Sequence, residues 1–138
     1  MNYFEYSVIE WPEHVWLGVT VEGPRQVHRI EDLRQTKAET KLLVCEPLLG
    51  PLGDIDLAGI SWVVAGGEYG PHEGNRSTKP EWVLDLRRKC TAANIPFNFN
   101  ENGGVVPGYQ PWPRGSVEQI NEIPRALGDW VLDDSLYI

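Results

Sequence analysis

The chain has 138 residues, with 20 acidic against 12 basic side chains and a formal net charge of −8. A hydrophobic share of 41% is that of a globular protein and supplies one domain with its own core. So acidic a surface neither neutralises phosphates nor releases their counterions, which argues against direct nucleic-acid binding and against docking on anionic membranes.

No apolar run reaches the length of a membrane span, and Met1-Asn-Tyr-Phe-Glu-Tyr6 lacks the basic and apolar regions of a secretory leader. The expected location is therefore the cytoplasm. Cys45 and Cys90 are the only cysteines. Far apart in sequence, they read as two buried, reduced thiols rather than a metal motif.

The first element is a strand-like run, Val15-Trp-Leu-Gly-Val-Thr-Val-Glu22. From about Arg25 to Thr36, Val27, Ile30 and Leu33 recur at helical spacing. A second strand runs from Thr40 to Glu46, and a loop rich in Pro, Gly and Asp leads to a third strand from Ile60 to Ala65, broken at Gly66-Gly67. After a polar loop, Ser77 or Thr78 is placed to cap a helix with Pro80 in its first turn. That helix carries Trp82, Val83, Leu86, Cys90 and Ala93 on one face and Arg87, Arg88 and Lys89 towards its end; Asn94 suits a left-handed stop. A fourth strand begins at Ile95 and reaches Glu101.

Strand, helix, strand, loop, strand, helix, strand predicts an α/β fold: βα units in a parallel half-barrel or small open sheet. Continuously apolar runs such as Leu42-Leu-Val-Cys45 suit strands covered on both faces. Residues 1–104 form this domain. Residues 105–138 read as an irregular carboxyl-terminal tail, whose Trp112 and Trp130 are candidate interface anchors on the domain or on a partner subunit. Half a barrel leaves edges to cover: by the tail over an edge of a small open sheet, by self-association as a dimer, which is the favoured expectation, or by pairing with another chain.

Each strand-like run ends in a carboxylate: Glu22, Glu46, Glu68 and Glu101. Parallel strands bring them to one rim, where α/β folds bind ligands. Clustered carboxylates suit a divalent cation, an amine or hydroxyls, or act as a base with a raised pKa. Equally, each can cap a helix or pair with an arginine such as Arg25 or Arg76. The candidate ligand residues are Glu22, Glu46, Gly66, Gly67, Glu68, His72 and Glu101. Glu22, Glu46 and Glu68 are the alternative metal set; no metal is assigned. Glycines after a parallel strand let backbone approach a ligand or make a tight turn at positive φ. No nucleophile elbow, Ser-His-Asp order or HExxH is present, so no catalytic residue is named.

Four segments carry a resemblance: Val15-Trp-Leu-Gly-Val-Thr-Val-Glu22, Cys45-Glu-Pro-Leu-Leu-Gly-Pro51, Trp62-Val-Val-Ala-Gly-Gly-Glu-Tyr-Gly-Pro71 and Lys79-Pro-Glu-Trp-Val83. In this order they resemble the carboxyl half of an uncharacterised family of phage and prophage proteins, whose full-length members resemble radical-SAM barrels. The similarity spans Trp11 to Asn102 and implies that Gly66, Gly67 and Glu68 would face SAM. Relatives carry a three-cysteine iron–sulfur motif that this chain lacks, so no iron–sulfur cluster is expected. Where relatives read Lys-Gln-Trp-Gly, this chain has Asn100-Glu-Asn-Gly103.

The expectation is a non-catalytic interaction protein in the cytoplasm of a bacterial host, with a host or phage protein or its own copy as partner. Inhibition of a defence protein is one such role. It needs no cofactor. The alternative is an enzyme or half-enzyme using the glutamate rim, with SAM or a divalent cation bound.

Overall fold

The structure is a computed structural model, and it describes residues 11–68, 76, 78–99 and 120–121. Four strands, β1 (Trp16–Thr20), β2 (Thr40–Cys45), β3 (Trp62–Ala65) and β4 (Phe97–Phe99), form a parallel open sheet in the order β1-β2-β3-β4. A two-residue strand, β5 (Ile120–Asn121), adds antiparallel to β4. Parallel neighbours in sequence order need a crossover between each pair, and the chain supplies α1 (His28–Arg34) and α2 (Pro80–Ala92) for two of the three.

Both helices pack on the same face of the sheet. Ile30 and Leu33 of α1, and Val83, Leu86 and Cys90 of α2, share one core with Leu43, Cys45, Val63, Ala65, Phe97 and Phe99. The β2–β3 crossover has no helix. There Leu48, Leu52, Leu57 and Ile60 fill the layer instead. Arg34 holds this loop to α1: its Nε donates to the Ala58 carbonyl at 2.8 Å and its Nη2 to the Asp56 carbonyl at 2.5 Å.

Side chains alternate across a strand, so the residues between these core positions stand on the opposite, inner face. They are Trp16, Leu42, Val44, Trp62 and Val64, all half-buried, with Asn98 buried. Trp16 and Trp62 meet edge to face, with centroids 6.0 Å apart. Both lie on the face away from the helices, and Trp82 is half-buried against the core.

The elements differ from expectation mainly at their ends. The first helical segment starts as a 3-10 turn, Pro24–Gln26, before α1. Of the two cap candidates, Ser77 lies outside the described residues and Thr78 is turned to the β2–β3 loop. Lys79 holds the N-cap position without a side-chain hydrogen bond, and the Thr78 hydroxyl, fully buried, donates to the Leu48 carbonyl at 2.8 Å. Asn94 takes the left-handed conformation, with φ 55°. Cys45 and Cys90 are buried free thiols. His72, Glu101, Trp112, Trp130 and nearly all of residues 105–138 lie outside the described residues.

Candidate functional site

The parallel register carries Glu22 and Glu46 to the same level. Thr20 pairs with Val44, and the register continued two residues past this last pair sets the Glu22 backbone level with that of Glu46. Val21 and Cys45 are core residues, which turns both glutamates to the inner face. By the same counting Cys45 pairs with Ala65, and Gly66, the residue that follows β3, is the neighbour of Glu46. The backbone ties this rim together. Leu48 N–H donates to the Gly66 carbonyl at 2.9 Å, and Leu49 N–H donates to the Glu22 carbonyl at 2.7 Å. The Thr78 hydroxyl, 3.4 Å from the same Gly66 oxygen, reinforces the crossing.

Gly66 is small for a specific reason. A Cβ there would stand 2.8 Å from Glu46 Cδ and 3.0 Å from its Oε1. The Glu46 carboxyl therefore lies over Gly66, just past the end of β3, in space that a side chain there would enter. Positive φ is not the cause: among the described residues the glycines with positive φ are Gly53 and Gly59. Gly67, like Gly66, is buried.

Glu68 lies two residues beyond Gly66 and is held by Arg76. The Arg76 backbone N–H donates to Glu68 Oε2 at 2.6 Å, and its Nη2 donates to Oε1 at 2.8 Å. Hydrogen bonds from the Arg76 side chain, then from its backbone, hold the Glu68 carboxyl below the usual carboxylate range. Glu68 in turn raises Arg76, and Glu22 is near enough to add to the same field. Among the described residues no three His, Cys, Asp or Glu side chains stand close enough to share a metal ion.

Sequence reasoning missed one residue of this region. Asn98 sits on β4 between two core phenylalanines, level with Val64 and Val44, and so faces inward one step below Glu46 and Gly66. It is 4% exposed, and among the described residues its Oδ1 has no hydrogen-bond partner. The signal was present in Phe97-Asn98-Phe99: a polar residue alternating with aromatics marks a polar position on the other face of a strand.

The sequence profile of one protein family, described as Protein of unknown function (DUF5131), matches residues 1–126. The chain belongs to the DUF5131 family. The match takes in every described element, from β1 to β5. No curated protein and no solved structure matches the chain. For this DUF5131 chain, then, the chemistry of the rim is read from its own described residues: carboxylates that follow adjacent parallel strands, the Glu68–Arg76 ion pair, and a buried carboxamide oxygen with no donor among those residues.

Proposed function

We propose that this DUF5131 chain is a non-catalytic interaction protein of phage or prophage origin, built on half of a radical-SAM-like barrel and acting in the bacterial cytoplasm. The observation that carries the reading is the inner face of the sheet. Among the described residues the helices, core and β2–β3 loop all lie on one side, while Trp16, Leu42, Val44, Trp62 and Val64 on the other are only half-buried. Apolar and aromatic side chains gathered on a sheet face are the chemistry of a protein–protein interface. In a closed barrel this face would be interior. A second copy of the chain, or a host or phage protein, takes that role here. The acidic charge and the lack of a three-cysteine motif support binding over radical chemistry.

Light scattering on the full chain, over a wide concentration range, tests this. Self-association gives twice the chain mass, and Trp62→Glu returns it to a single chain with its secondary structure kept. A wild-type chain that stays monomeric, with Trp62 as shielded from an aqueous quencher as a core residue, would remove the inner face as a docking surface.

A second reading is favoured by the orphaned Asn98 oxygen. In it the carboxyl-end rim of Glu22, Glu46, Gly66, Gly67 and the Glu68–Arg76 pair holds a small ligand, with SAM or a divalent cation as the candidates from resemblance and residue chemistry. Calorimetric titration with SAM and with Mg²⁺ tests it. No heat with either ligand counts against both candidates.

A further inference from the structure

We propose that a second copy of the chain pairs with the open edge of β1, antiparallel and centred on Gly18, so that two sheets become one. The inference rests on the reading of the chain as a self-associating interaction protein, and it names the seam through which the copies meet.

Among the described residues β1 has a neighbouring strand, β2, on one side only. The direction of its backbone groups follows from one bond. Val21 N–H donates to the Val44 carbonyl at 2.8 Å, so Leu17, Val19 and Val21 turn their N–H and C=O groups to β2. The residues between them, Trp16, Gly18 and Thr20, turn theirs the other way. Arg29 shows the same direction: its Nη1 donates to the Thr20 carbonyl at 2.8 Å from helix α1 rather than from β2. Gly18 and Thr20 are exposed. Strand edges are ordinarily blunted by a charge or a proline, and Trp-Leu-Gly-Val-Thr has neither.

The edge is complementary to itself. An antiparallel partner centred on Gly18 sets Gly18 against Gly18 and Trp16 against Thr20, which uses every outward-turned residue of both copies. The Thr20 carbonyl keeps a second lone pair beside its bond from Arg29. Charge selects the same direction. One end of β1 is preceded by exposed Glu13, and the other carries exposed Arg29. Antiparallel pairing brings the Arg29 end of each copy to the Glu13 end of the other, whereas parallel pairing would put like charges together. With a net charge of −8 on each copy, an uncharged seam with opposite charges at its ends is the place where two copies meet at least cost. Opposed residues of an antiparallel pair share a face, so both inner faces lie on the same side of the joined sheet. Its native twist and coiling turn them towards each other.

The test is light scattering on the full chain over a wide concentration range, with amide hydrogen exchange on the same samples. The wild type should dimerise, and the Gly18 and Thr20 amides should become protected as it does. Thr20→Pro removes an outward donor and no bond to β2, so it should give a folded single chain. Glu13→Lys and Arg29→Glu should each weaken the dimer severalfold, and the double variant should recover it.

A Thr20→Pro chain that still dimerises, while Trp62→Glu does not, would overturn the seam and leave the inner face as the contact. The reverse pattern would keep the seam and remove the inner face. A wild type that stays monomeric overturns the seam; Gly18 and Thr20 amides already protected in it would show that the chain's own residues cover the edge. Charge reversals that fail to rescue each other would overturn the antiparallel register. Exchange and the charge pair decide the matter even where Thr20→Pro fails to fold.

Discussion

Glu68 and Thr78 show how single residues take parts that their neighbours in sequence do not announce. Glu68 reads as a rim ligand or as the partner of an arginine such as Arg76, and two side-chain bonds and one backbone bond from Arg76 engage it. Thr78 reads as a helix cap, but its hydroxyl is spent on the Leu48 carbonyl, where an unpaired oxygen would be buried. A pH dependence follows from Glu68. Its folded pKa lies below the ordinary value, so the ion pair contributes stability that is complete above the unfolded carboxylate pKa of about 4.3 and is lost as pH falls through the lower folded value. Urea denaturation from neutral pH into that acid range should therefore show a loss in the wild type that Glu68→Gln lacks. The amplitude is small, since Arg76 is exposed and solvent screens the pair.

At the scale of elements, helix α2 was legible because Val83, Leu86 and Cys90 keep a 3.6-residue rhythm and Pro80 fits its first turn. Its start was not, because capping depends on where Thr78 is pulled by the β2–β3 loop, a tertiary matter. The observed N-cap, Lys79, is extended with φ −90° and ψ 138°, a conformation that a capping serine adopts readily. Lys79→Ser should supply the absent side-chain bond, worth about 1 kcal/mol. It also removes the Lys79 ammonium lying 5.3 Å from the Trp82 ring centroid, worth about 0.5 kcal/mol at an exposed site. The cap wins, and chemical denaturation should show a net gain of roughly 0.5 kcal/mol. A loss instead would mean that the Lys79–Trp82 contact outweighs the cap. Strand ends were less legible than strand existence: β3 begins at Trp62 rather than Ile60, because Ile60 N–H turns back to the Leu57 carbonyl.

For the whole molecule, the parallel order was readable because apolar runs ending in glutamate alternate with helical and loop segments. The inner face was harder to read, because both faces of each strand are apolar and periodicity cannot say which one the helices cover. The single-sided layering has a consequence for the two thiols. Cys45 on β2 and Cys90 on α2 are fully buried in the one core that joins sheet to helices. Burial, and next the neighbouring Cys90, push the Cys45 thiol up, so its reactive thiolate is scarce in the folded state. A thiol reagent should therefore label neither cysteine in the native protein, and both together at the rate of global unfolding, because neither sulfur is reached until α2 parts from the sheet. Mass spectrometry of the partly labelled protein reads this directly, as unmodified and doubly modified chains with little singly modified product. Single labelling at Cys90 ahead of Cys45 would show that α2 leaves as a separate unit, and that the four strands hold together without it.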